Sequence, residues 1–177
     1  MIGPVLALLL PLVGQADGAL FDPVQGYRLS HYRGVVPAPP EDVPRITKDQ
    51  AAGLWRSRGA ILIDVTPAEG GVRDATTGRW TLVEPHRSIP GAHWFPESGR
   101  GVLTDGIGPW FMRGIARLHR TRARAPIVVF CLADCWMSWN AALRLRRAGY
   151  RDVRWYADGM DGWRELGLPT TVATPER

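Results

Sequence analysis

The chain has 177 residues, 45% hydrophobic and 22% charged, which suits one domain with a sizeable core and excludes a disordered chain. Such a core needs no disulfide framework, so the placement of the two cysteines reads as chemistry. The net charge of +5 is compatible with an anionic partner, but the arginines are scattered along helices and turns with no basic tract, which argues against nucleic acid.

Met1 to Ala16 is a short apolar run ending in small residues. Gly14 and Ala16 stand three and one before a signal-peptidase cut, so residues 1–16 are expected to be a signal peptide. The run lacks Lys and Arg at its start, and it is too short and Pro-interrupted for a good membrane span; an uncleaved anchor is the alternative. After cleavage no integral membrane segment is expected. Export would place the cysteines where they can rest as thiols or as a disulfide.

Residues 17–45, rich in Pro, Gly and polar side chains, read as an irregular arm packed across the domain. Thr47 with Gln50 three residues on predicts a capping box, opening a helix through Ala51, Ala52, Leu54 and Trp55 that stops by Gly59. Ala60 to Val65 predicts a buried parallel strand with Asp64 near its end. Residues 67–88 predict a loop and a small hairpin, and Arg87 to Pro96 a turn and short apolar strand. Trp110, Phe111, Ile115 and Leu118 have helical spacing over 109–122. Ile127 to Phe130 predicts a buried strand ending on Cys131, and a helix follows from about Ser138 to Ala148, closed by Gly149. Val153 to Tyr156 is the next strand, and Asp158 to Trp163 a turn into a short helix ended by Gly167 and Pro169. Alternating strands and helices predict a single α/β domain over 46–172, with a mainly parallel sheet flanked by helices. Ligands of such sheets bind outside the strands' carboxyl ends, where Cys131 lies.

A cysteine between a buried strand and a helix N-terminus has a route to reactivity, because unpaired N–H groups and the helix dipole stabilise its thiolate. Cys135 sits four residues on, inside the same loop. The order of these motifs resembles a rhodanese domain. Ile63-Asp64-Val65 is similar to that family's first conserved strand, Ser88-Ile-Pro-Gly-Ala92 to its His-Ile-Pro-Gly-Ala turn, and Cys131 to the active-site cysteine that opens its catalytic loop. Ala148-Gly-Tyr-Arg-Asp-Val153, Gly159 to Trp163 and Gly167-Leu-Pro169 resemble its closing segment, so the likeness spans residues 46–170. The Cys-x-x-x-Cys-Trp-Met-Ser-Trp-Asn run, the Tyr27-Arg28 arm and the signal peptide resemble the subfamily of PQQ-dependent catabolism-associated CXXCW motif proteins. One departure is plain: three residues, not two, separate the cysteines here. The resemblance implies an exported, periplasmic protein associated with pyrroloquinoline-quinone alcohol dehydrogenases. It implies a persulfide held on Cys131 and cradled by loop N–H groups, and a structural role for Asp64 in support of the site.

The loop itself (Leu132, Ala133, Asp134, Cys135, Trp136, Met137, Ser138) contains no Lys or Arg. Asp134 is expected to raise the Cys131 thiol pKa and repel anions, which argues against thiosulfate and against a phosphatase, unless Arg73, Arg87 or Arg100 folds over the site. Cys131 could instead be a small core residue. Cys135 reads as a resolving thiol, as half of an intraloop disulfide, or as a packing residue. Trp136 and Met137 suggest an apolar platform for a ligand or partner, whereas Trp139 reads as core and Asn140 as a hydrogen-bonding support. His93 reads as a satisfied half-buried histidine, and Trp80, Trp94 and Trp110 as packing. His31, His86 and His119 lack ligand spacing, so no metal is expected, and no nucleotide fingerprint or other cofactor motif is present. Two function classes stay open. One is persulfide or thiol–disulfide chemistry at Cys131 with Cys135, accessory to periplasmic alcohol oxidation and acting on a thiol partner protein. The other is a non-catalytic partner of a quinoprotein dehydrogenase, with a Trp-rich gripping loop and a static disulfide.

Overall fold

A computed structural model describes residues 19–104 and 106–177. The expected signal peptide at 1–16 lies outside the described residues. Five strands build the central sheet: β1 (Arg45–Ile46), β2 (Ile61–Asp64), β6 (His93–Trp94), β7 (Ile127–Phe130) and β8 (Val153–Tyr156). Their order is β1-β8-β7-β2-β6 and every pairing is parallel. Two antiparallel pairs lie outside it, β3 (Val72–Arg73) with β4 (Trp80–Thr81), and β5 (His86–Ser88) with β9 (Thr171–Ala173).

The apolar runs read as buried on both faces because successive side chains alternate between two cores. Ile61, Ile63, Ile127, Val129, Val153 and Trp155 face one core with α2 (Ile107–Thr121) and α3 (Trp136–Arg147). Leu62, Val128, Phe130 and Tyr156 face the other with α1 (Lys48–Arg56) and α4 (Gly159–Glu165). The capping box forms as the sequence predicts: Gln50 N–H donates to Thr47 Oγ1 at 3.2 Å and Thr47 N–H to Gln50 Oε1 at 2.9 Å. Gly149 adopts the left-handed φ of +94° expected after α3.

Three boundaries differ from the sequence reading. The first strand begins at Arg45, inside the segment read as arm, because Pro44 C=O accepts from Trp155 N–H and lays the chain along β8. The domain runs on past residue 172: β9 pairs with β5, and Glu176 accepts from His93 at 2.6 Å and from Arg117. Helix α3 starts at Trp136 rather than Ser138, which alters the site. Among the described residues no helix is long and apolar enough to cross a membrane.

The α2 side of the core leaves no slack at Gly114, where an added Cβ would lie 2.5 Å from Cζ of the fully buried Phe95. Gly114→Ala is expected to destabilise by about 1–3 kcal/mol through overpacking. Urea denaturation should show a lowered midpoint at unchanged slope; an unmoved midpoint would mean the contact is looser than described.

Candidate active site

Strand β7 delivers Cys131 to the carboxyl end of the sheet, fully buried. Its carbonyl accepts from Met160 N–H at 2.8 Å, which ties the loop to the start of α4. Gly159, at φ +50°, permits this approach, since a Cβ there would overlap the Cys131 carbonyl. The loop is short: Ala133 N–H donates to Asp161 Oδ2 at 2.9 Å, and exposed Asp134 turns the chain with φ +48°. Ser138 Oγ donates to the Cys135 carbonyl at 3.1 Å and accepts from Trp155 Nε1 at 3.0 Å.

Cys135 is the N-cap residue of α3, in extended conformation. The main-chain N–H groups of Met137 and Ser138, in the first turn of α3, favour the charged form of its sulfur, as a helix N-terminus favours an anion, although no side-chain capping bond forms. The two sulfurs are 3.0 Å apart, with Cys131 donating to Cys135. That bond from Cys131, with the Met137 N–H and the Arg33 charge, holds the Cys135 thiol down at about 7 against its burial. Burial pushes the Cys131 thiol well up, and its bond to Cys135, the Cys135 charge and Asp64 push the same way. Of the two, Cys135 is the sulfur that ionises first, with Cys131 as the thiol that donates to it. This corrects the expectation that the helix N-terminus serves Cys131. Because α3 begins two residues early, its free N–H groups meet Cys135 instead. The carboxylate bearing on Cys131 is Asp64, not Asp134.

Asp64 is fully buried and satisfied: Oδ1 accepts from Thr66 N–H at 2.8 Å, and Oδ2 from Ser88 Oγ at 2.5 Å and His86 Nε2 at 2.7 Å. It fixes β5 to the end of β2.

The arm, expected to pack across the domain, closes the site from above; its cover over the cysteine loop is the part the sequence reading did not foresee. Gly34 N–H donates to Asp134 C=O at 2.8 Å and Trp136 N–H to Tyr32 C=O at 2.8 Å, so Arg33 pairs with Cys135 as in a β-bridge. Asn140 clamps the arm further back, accepting from Arg28 N–H and donating to Arg28 C=O, both at 2.9 Å. Phe21 meets Trp136 edge-on at 5.2 Å, and the Arg28 guanidinium lies 5.2 Å from the same ring. Cys135 is left 3% exposed. Trp136 and Met137 are accordingly buried, while Trp139 is half-exposed with Nε1 on Ala38 C=O; this reverses the expected roles of platform and core. Arg73, Arg87 and Arg100 do not reach the loop: Arg100 pairs with Glu97, Arg87 binds Thr170, and Arg73 lies beside Trp110. The cation that matters is Arg33, which only its long-range pairing reveals.

A recess of about 330 Å³ abuts the loop, lined by Val36, Ala133, Asp134 and Trp155. Its cations are already paired, Arg45 with Asp158 at 3.0 Å and Lys48 with Glu165 at 2.7 Å. A dianion such as thiosulfate finds no free partner there. Among the described residues no group of three His, Cys, Asp or Glu could hold a metal ion.

A strand-end cysteine loop on a five-stranded parallel sheet, covered by helices on both faces, defines the class. The Rhodanese-like domain model matches residues 47–166, and the chain belongs to that family. The chain is also similar to solved structures. EanB is 24% identical with a TM-score of 0.50, the match covering 73% of this chain and 28% of that one. A thiosulfate sulfurtransferase from Pseudomonas aeruginosa is 17% identical with a TM-score of 0.47, covering 76% of this chain and 21% of that one. The polysulfide-sulfur transferase homodimer from Wolinella succinogenes is 20% identical with a TM-score of 0.47, covering 73% and 79%. The chain thus spans less than a third of the length of the first two. No curated protein matches it.

Titration by ultraviolet thiolate absorbance should show one thiolate forming about pH 7 and the second only well above 9.0. Cys131→Ala should move the first midpoint upward, since the bond from Cys131 is its largest cause, and Arg33→Ala should move it less. Two thiols titrating together near the ordinary value would refute the split.

Proposed function

We propose that the protein is a sulfur-transfer domain in which Cys135 attacks and Cys131 resolves. The observation that carries this reading is the pair of sulfurs 3.0 Å apart, with Cys135 at the N-terminus of α3 and Cys131 buried at the end of β7. The Cys135 thiolate attacks the outer sulfur of a donor persulfide; the donor's S–S bond breaks, its thiolate leaves, and Cys135 carries the sulfur as a persulfide. Cys131 then loses its proton and attacks the Cys135 sulfur. The Cys131–Cys135 bond forms, hydrosulfide leaves, and the transferred sulfur is reduced while the two cysteines are oxidised. An external thiol, from a small molecule or a partner protein, reduces the disulfide and resets the site. Closing to the ~2.05 Å of a disulfide needs a movement of about 1 Å. The resemblance would put the persulfide on Cys131; the helix N-terminus favours Cys135. With no free cation at the recess, a singly charged organic persulfide or an uncharged organic polysulfide suits the site better than a dianion.

The wider setting rests on the sequence. The run at 1–16 supports export, and the cysteine loop with Trp136 supports an accessory role in periplasmic, PQQ-dependent alcohol oxidation, with a quinoprotein dehydrogenase as a candidate partner.

Intact-mass measurement after incubation with a polysulfide tests the chemistry. Cys131→Ser should gain about 32 daltons, one trapped sulfur, and Cys135→Ser should not. The wild type should end as a disulfide with sulfide released. A persulfide retained by Cys135→Ser and absent from Cys131→Ser would return the attacking role to Cys131.

The initial uptake rate should rise with pH through about 7, as the Cys135 thiolate forms, and fall away below it. Stopped-flow release of the donor's thiol, the leaving group of the first step, would record the profile; a flat profile from pH 6 to about 8 would contradict a titrating nucleophile.

A further inference from the structure

A wide cleft lies away from the cysteines. A cleft of about 1200 Å³ runs between α2, the β3–β4 hairpin and the C-terminal tail, and it shares no lining residue with the loop at 131–138 or with the arm. Six of its lining residues are arginines: Arg73, Arg79, Arg113, Arg117, Arg120 and Arg177. Arg113, Arg117 and Arg120 stand on one exposed stripe of α2, at i, i+4 and i+7, where like charges repel. Arg117 is neutralised by Glu176, whose other oxygen takes His93. Arg73, Arg79, Arg113 and Arg120 have no ion-pair partner among the described residues. The nearby Asp74 carboxylate is engaged by Thr76 and Thr77 in its own turn.

The hairpin wall adds a second, independent sign. Arg73 Nε and Trp80 Nε1 are buried donors without an acceptor, and both residues line the cleft. Native structures rarely leave such donors unmet. The Trp80 ring tilts against Trp110 at 6.0 Å, and Arg73 lies 5.4 Å from the Trp110 ring, so the hairpin rests on α2 through stacked groups rather than through hydrogen bonds. An acceptor entering at the hairpin wall would give such a donor its partner while its charge met the stripe.

We propose that this cleft is a second ligand site, for a small organic molecule carrying two or more carboxylate or phosphate groups. Guanidinium forks on both walls match the planar oxygen pairs of either group. The cleft is large enough to enclose a small molecule. Its charge also accounts for a large part of the chain's basic balance, which the cysteine chemistry does not use. The site is independent of the sulfur-transfer reading.

Calorimetric titration of the full chain with benzene-1,3,5-tricarboxylate, and separately with pyrophosphate, tests it. Saturable binding of at least one probe is expected, with a change in tryptophan fluorescence. The double substitution Arg113→Glu/Arg120→Glu should weaken it tenfold or more, at unchanged circular dichroism. Arg151→Glu, an exposed site elsewhere, should leave it unchanged. Binding of the tricarboxylate alone or of pyrophosphate alone supports the site and identifies the preferred group. A Cys131→Ala/Cys135→Ala variant should bind as the wild type does. No saturable binding of either probe would overturn the proposal, as would equal losses in Arg151→Glu, which would reduce the effect to net charge. Capture of an acidic peptide with neither small anion bound would also overturn it.

Discussion

A hydrogen bond between two buried sulfurs sits at the junction of everything that shapes this molecule. It exists because β7 ends on Cys131 and α3 begins on Cys135, so a strand terminus and a helix terminus are held one short loop apart. A thiolate in so dry a place would be costly. It is maintained by first-turn N–H groups, by the neighbouring thiol and by one cation from the arm. The same enclosure keeps Cys131 protonated, since a second charge would be buried beside the first. The unequal pair is thus a product of geometry: one sulfur lies under a helix end and the other under a sheet end.

The surrounding elements serve that junction. Asp64 ties β2 to β5 behind Cys131, and Gly159 lets α4 approach the Cys131 carbonyl. Trp155 reaches Ser138, which braces the Cys135 carbonyl. The arm completes the enclosure with main-chain pairing rather than with a packed helix. Its grip is distributed over Arg28, Tyr32 and Gly34, none of which holds an element of its own.

Most of the sheet was legible because its strands are short apolar runs between turn residues, and the capping box and Gly149 marked helix ends unambiguously. Cys131 at a strand end was legible for the same reason. What stayed hidden depended on contacts distant in sequence. Trp136 opens α3 without a Ser, Thr, Asp or Asn before it, so the helix start was placed two residues late, and the electrostatic advantage was assigned to the wrong sulfur. The arm looks irregular because it pairs with the loop through single bridges that leave no periodic pattern. Trp136 and Trp139 were exchanged in role because the cover over Trp136 comes from Phe21 and Arg28, more than a hundred residues earlier. The tail strand β9, three residues long, is too short to announce itself.

The arm's pairing also sets how long a reactive sulfur survives. With Cys135 almost sealed, a peroxide or other small oxidant reaches the thiolate only while Tyr32 and Gly34 are detached from the loop. Irreversible over-oxidation to sulfinic acid then proceeds at the basal rate scaled by the fraction of time spent open. Two main-chain hydrogen bonds from the arm therefore stand between solvent and this sulfur, and a change that loosens the strap shortens the time the sulfur survives oxidant.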